Sequence, residues 1–294
     1  MKNHANNSTF SHLTFAVKTF FFLCLLHFSS GLFSQVRTTV LNGTSLTDFI
    51  PLHSDAPIDP IYLPSVDVEA ALLEDSIKGI QAPRFGVKVP MDATKTDGVV
   101  EEKGAYLVWR IAFKSIGAVS LNFQFADLFL PTGSLLYVYN KQGSMCIGPV
   151  ENENVIEGEY STDVLKGNEA IIEVIMPKET LKAFAITVAG VVHGFQDIEI
   201  STRSYGDSAP CNNDVACLGG GGNQGDAVGM IISGNTRICS GALINNACQN
   251  LRPFFLTADH CVEGQNPQNW VIRFNYDSPT CGGSEPTEWV TYNG

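Results

Sequence analysis

The sequence predicts an all-β protein: a β-sandwich-like region over residues 104–200, then a second group of short strands over residues 211–294. Two observations carry this reading. In Ser120–Phe125, Leu121, Phe123 and Phe125 alternate with Asn122 and Gln124, the period of two that marks a strand with one buried face. Around it, short apolar runs recur at close spacing: Tyr106–Phe113, Leu135–Tyr139, Ile171–Met176 and Ala183–Val192, with Pro131-Thr132-Gly133 as punctuation. Hydrophobic content of 44% against charged content of 16% places the chain with packed globular proteins rather than disordered ones. Its 294 residues leave room for two domains.

Taken in order, residues 1–34 read as a signal peptide. Lys2 and Lys18 flank a polar start, and Phe20–Phe28 is an apolar run broken only by His27. Ser29, Ser30, Gly31 and Ser34 then supply small residues for cleavage near Ser34 or Gln35. The run is too short to span a bilayer as a stable helix. An N-terminal membrane anchor is the competing reading. Export implies a secreted or periplasmic protein, free of the membrane once the peptide is cut, and makes disulfides the expected fate of the cysteines other than Cys24.

Residues 35–103 follow as an extended pro-segment with one short helix. Residues 36 to about 64 are rich in Thr, Ser, Asp and Pro. Ser65–Lys78 has helical spacing, with Val68, Leu72, Leu73 and Ile77 on one side and the acidic Asp67 and Glu69 near its start, where they suit the helix dipole. The strands of 104–200 come next, and their place between a signal peptide and the second group of strands suggests a pro-domain. A carbohydrate-binding module is the alternative, with Trp109 and the tyrosines stacking on sugars, although aromatics in strand patterns more often belong to a core.

Residues 201–210 have the small, polar composition of an exposed linker, with Arg203 as the one basic residue and hence the candidate processing site. The glycine run Gly219–Gly222 lacks the strand-to-helix context of a phosphate cradle and reads as a loop. Val228–Ser233, Thr236–Ile244, Pro253–Ala258 and Trp270–Tyr276 are four further short strands, and Glu288–Tyr292 begins a fifth.

The stretch of chemical interest is Pro253–Val262. An apolar run, Phe254–Leu256, delivers His260 with Cys261 directly behind it. Histidine is the side chain whose unperturbed pKa suits proton transfer near neutrality. Upstream, Arg237–Ile244 carries Cys239 near its centre. A satisfied histidine at a strand end is the plainer account of His260. Zinc competes for clustered Cys and His, but Cys211-x5-Cys217 and His260-Cys261 fit no short-knuckle ligand spacing, so no metal or other cofactor is expected. The net charge of -12 sets the chain against nucleic acid, whose phosphates would repel it, and leaves no basic patch for anionic lipid.

Cys239-Ser240-Gly241-Ala242-Leu243-Ile244 followed by Leu256-Thr257-Ala258-Asp259-His260-Cys261 resembles the trypsin/chymotrypsin-like serine proteases. Pro210-Cys211-Asn212-Asn213-Asp214-Val215-Ala216-Cys217 resembles the start of the mature lysyl endopeptidases, a secreted bacterial branch, as do Leu251–Thr257 and Phe274–Cys281. The resemblance implies that His260 is the general base of a His-Asp-Ser triad, and that Cys239 pairs with Cys261 and Cys217 with Cys281. The partner it implies for Cys211 lies downstream of this sequence, and Cys146 and Cys248 have no counterpart. Asp259 departs from the usual Ala and should point away from His260 if the strand continues.

The implied architecture is two six-stranded β-barrels, of which residues 211–294 would supply most of the first and none of the second. No Gly-x-Ser-Gly segment follows His260, Ser278 and Ser284 lack that context, and Asp277 comes too early to be the triad acid. The sequence therefore reads as the front part of a secreted serine endopeptidase precursor acting on polypeptide substrates, inactive as it stands. Cleavage after Lys or Arg is a family expectation. The alternative is a non-catalytic secreted β-sandwich binding protein carrying a protease remnant.

Overall fold

The computed structural model describes residues 36–80, 84–198, 214–218, 222–234, 236–248, 250, 252–262 and 266–293. The signal peptide, the linker with Arg203, and Cys211 lie outside the described residues. The molecule is all-β, built from two open sheets.

Strand β1 (Val36–Val40) leads to a one-turn helix α1 (Leu46–Phe49), a short strand β2 (Ile61–Tyr62) and helix α2 (Val68–Lys78). Then come β3 (Gly86–Thr94), β4 (Val99–Lys103), β5 (Tyr106–Lys114), β6 (Ser120–Phe129), β7 (Leu135–Asn140) and β8 (Met145–Val150). They are followed by β9 (Tyr160–Ser161), β10 (Leu165–Lys166), β11 (Glu169–Pro177) and β12 (Ala185–Gly194). The C-terminal part adds β13 (Val228–Ser233), β14 (Arg237–Ile244), β15 (Phe254–Thr257), a one-turn helix α3 (Asp259–Val262), β16 (Val271–Phe274) and β17 (Glu288–Asn293).

The larger sheet has 12 strands in the order β15-β14-β13-β16-β17-β1-β8-β7-β11-β5-β2, with β4 also paired to β5. The smaller has five, β10-β6-β12-β3 with β9 on β6. Their facing sides make one core. Trp109, Ile111 and Phe113 of β5 and Ile172, Val174 and Met176 of β11 meet Leu121, Phe123 and Phe125 of β6 and Val188 and Val191 of β12. Trp109 is fully buried, its indole N–H donating to Lys95 O at 2.8 Å, and Tyr137, Tyr139 and Tyr160 are buried too. These four rings are not available to stack on a sugar, whereas Tyr106 at the start of β5 is exposed.

The outer face of the larger sheet is covered as well. Val108, Ala112, Tyr139, Ile171 and Ile175 pack under Leu41 and Ile50, with Leu46, Phe49 and Ile58 beside them. Covered on both sides, β5 is buried from Leu107 to Phe113 without alternation, Arg110 included. His53 latches this cover to the sheet: its Nδ1 lies 3.1 Å from the buried Glu173 carboxylate, which also accepts from Tyr139 Oη at 2.8 Å.

Three departures from the sequence reading have physical reasons. Strands β3 and β4 occupy a stretch expected to be extended; β3 is an edge strand paired to β12, with a register shift beside the Gly190–Pro90 pair, and an edge or a bulge is where a proline fits a ladder. Helix α2 starts at Val68, where Asp67 accepts from Ala70 N at 2.9 Å, and stops at Gly79 in the left-handed region (φ 67). Its apolar side also faces outward: Leu72, Leu73 and Ile77 are exposed, while Asp75 points in to Arg84 (2.5 Å) and Arg237. An ion pair, not apolar burial, holds that helix.

Most consequential is β1. It pairs antiparallel with β17 on one side (Thr38 opposite Trp289) and with β8 on the other (Thr38 opposite Ile147). The strand just after the expected signal peptide thus joins the strands of both parts into one sheet.

Candidate functional site

Strand β15 pairs with β14 in the register Gly241–Thr257, Ala242–Leu256, Leu243–Phe255 and Ile244–Phe254. Gly241 is required there: a Cβ on it would lie 2.2 Å from the Phe255 ring and 2.5 Å from Leu256 O. Thr257 Oγ1 donates to Ser240 O at 2.8 Å, a second tie beside the ladder.

After Thr257 the strand ends and the chain turns into α3, so His260 sits in a helical turn rather than at the tip of a strand. The alternation expected to turn Asp259 away from His260 does not extend that far, and both side chains are exposed. Cys261 is buried and pinned twice. Its sulfur is bonded to Cys239, with Cα atoms 6.0 Å apart, and its carbonyl accepts from the buried Ser233 Oγ at 3.0 Å. These ties hold the backbone at Cys261, next to His260, while the His260 imidazole itself is exposed.

Beside it opens a cavity of about 690 Å³, lined by Met230, Ile238, Ser240, the Cys239–Cys261 bridge, His260, Arg273, Tyr276 and Asp277 among others. Among the described residues, every one that lines it lies between Val215 and Asp277. Met230 stands opposite Ser240 on one side and Arg273 on the other, so all three share a sheet face. The volume is in the range of ligand pockets.

The second bridge joins Cys217 to Cys281, with Cα atoms 4.5 Å apart. Asp214 supports it: its carboxylate accepts from Gly282 N at 2.8 Å and Ala216 N at 2.9 Å, and these backbone donors, Gly282 first, hold its pKa below the ordinary carboxylate value. This role for a motif residue was not read from the sequence. Cys146 is buried as a free thiol and Cys248 is free and exposed. Cys239, His260 and Cys261 bring their ligand atoms within 4.8 Å of one another, but bridged sulfurs offer no thiolate to a metal. Ser278 Oγ is engaged with Thr280 O at 2.8 Å, a turn role.

Sequence reasoning also missed Asp163, which is fully buried. One carboxylate oxygen accepts from Arg273 Nε at 2.7 Å; the other accepts from Trp289 Nε1 at 2.6 Å and Thr38 Oγ1 at 3.1 Å. The Arg273 guanidinium lies 4.8 Å from the Tyr276 ring centroid and 5.1 Å from that of Trp289. The available signal was an arginine inside the apolar run Val271–Phe274, since a charge buried in a strand needs a partner.

No helix among the described residues is long and apolar enough to cross a membrane. Residues 205–293 match the family described as Lysyl endopeptidase, C-terminal domain. The match covers under a third of the chain and supports a lysyl endopeptidase-like family and a protease-related function for this part. Two disulfides fit an oxidising compartment.

Proposed function

We propose that the chain is the leading part of an exported serine endopeptidase precursor in which His260 is the general base and residues 35–200 are the pro-region. The observation that carries this is the footing of His260: an exposed imidazole on a backbone fixed by the Cys239–Cys261 bridge, at the rim of a cavity. In this reading a serine hydroxyl brought to that rim gives its proton to the imidazole as its oxygen attacks the peptide carbonyl. The same imidazolium then returns the proton to the departing amine. A carboxylate holds the other ring nitrogen. By the order of the resemblance, carboxylate and serine follow His260, and this reading places both after residue 294. Processing falls within residues 201–210, with Arg203 as the favoured position, and polypeptides are the substrates.

The coding sequence beyond codon 294 is the first test: an open frame bearing an Asp and a Gly-x-Ser-Gly segment is expected, and an immediate stop would overturn the reading. The second is enzymatic. In the complete product, His260→Ala is expected to lower kcat on the order of a millionfold, measured on a fluorogenic peptide. Undiminished turnover would remove His260 from the chemistry.

A further inference from the structure

The way the two parts meet bears on what happens once the pro-region is cut. Residues 36–198 cover one end of a single sheet face on the C-terminal part. Ile232, Ile238 and Val271, all buried, pack against Phe85, Val164, Val192 and Ile198. Further along, Asp163 is inserted against Thr38, Arg273 and Trp289. Asn293 exchanges two hydrogen bonds with the Ser161 backbone (2.7 and 3.0 Å), and Asp75 reaches Arg237. Strand β1 completes the join by lying between β8 and β17. Departure of residues 36–198 would bare an apolar patch and leave Arg273 without the carboxylate that neutralises it. Both steps are unfavourable in water. The cover also stops short of His260: the cavity continues the same face, through Met230, Ser240 and Arg273, and among the described residues takes its lining wholly from Val215 to Asp277.

We propose that residues 36–198 are a permanent non-covalent subunit of the protease-like part, bound to it after the connecting stretch is cut, and that they brace its sheet without closing the His260 cavity. The proposal rests on the precursor reading above, which supplies the cut. It makes the N-terminal part a scaffold retained through maturation, rather than a plug that must leave before His260 can be reached.

The test uses the full chain with a site-specific protease recognition sequence inserted after Tyr205. Both described disulfides join positions within 214–293, so no bridge among the described residues links the halves. After cutting, the two fragments are expected to co-elute on size-exclusion chromatography at neutral pH. Carbethoxylation of His260, followed by peptide mass spectrometry, is expected to run at the same rate before and after the cut, with buried His53 and His193 as slow internal references. Fragments that elute apart would overturn permanent binding. A His260 rate about tenfold or more faster after cutting would overturn the open cavity.

Asp163→Asn is expected to speed separation of the cut pair on dilution about tenfold or more, and an unchanged rate would remove Asp163 as the anchor. If uncut Asp163→Asn lacks the wild-type circular dichroism, Asn293→Ala takes its place and is expected to speed separation by a smaller factor. No readout uses proteolysis. Separation would therefore sink the subunit and leave the endopeptidase reading standing, while a retained pair in a complete product that never cleaves peptide would do the reverse.

Discussion

The backbone that carries His260 is held through its neighbour Cys261. The bridge from Cys239 to Cys261 closes a loop of 22 residues, which loop-closure arithmetic values at about 3 kcal/mol. The double replacement Cys239→Ser, Cys261→Ser is therefore expected to lower the unfolding free energy by about 3 kcal/mol in a urea titration, and a loss under about 1 kcal/mol would contradict the bridge as a stabilising link. Gly241→Ala should cost about 1–3 kcal/mol by the same measurement, because its new methyl meets a ring and a backbone oxygen that cannot both retreat. At this scale the sequence was most legible where a motif is local. His260 and its cysteines announce themselves within a few residues. Asp163 does not, since its partners Thr38, Arg273 and Trp289 are more than a hundred residues away and nothing in Ser161–Leu165 hints at them.

Among the elements, β5 and β6 were readable as strands, but the alternation in β6 understated its burial: Asn122 and Gln124, expected on an open face, are buried along with Leu121, Phe123 and Phe125. Helix α2 was readable as a helix but not in orientation, since its buried contact is one carboxylate among exposed leucines. Burial alone pushes the Asp75 carboxyl up, but hydrogen bonds from Arg84 and then Arg237, with their charges, outweigh it and bring it down to about 2 from 3.8. A folded-state pKa below the unfolded one gives stability that is fully present above about pH 3.8 and is lost as pH falls towards about 2. Wild type should thus exceed Asp75→Asn in stability at pH 6, with the gap closing between about pH 4 and 2. A gap that persists at pH 2 would assign the effect to packing. For β1, Thr38→Pro places an imino acid in a strand paired on both sides. The expected result is that one calorimetric transition splits into two, as the strands of residues 84–198 and 214–293 lose their shared neighbour.

For the molecule as a whole, the sequence showed two β-rich stretches and could not show that a strand near the start stitches them together. Pairing partners so distant in the chain leave no periodic trace. The shared sheet alters the expectation for isolated pieces. Residues 206–294 expressed alone should be poorly soluble, because Ile232, Ile238 and Val271 lose their cover and β17 loses β1. Light scattering at neutral pH would show this, and a clean, cooperatively melting monomer would contradict it.

The sulfur links have a consequence for handling and for physiology. Both fasten the C-terminal strands, while residues 36–198 hold only the sequestered thiol of Cys146. Mild dithiothreitol should therefore act as a selective solvent of order: the sandwich keeps its resistance to digestion, while the corner carrying His260 loosens first.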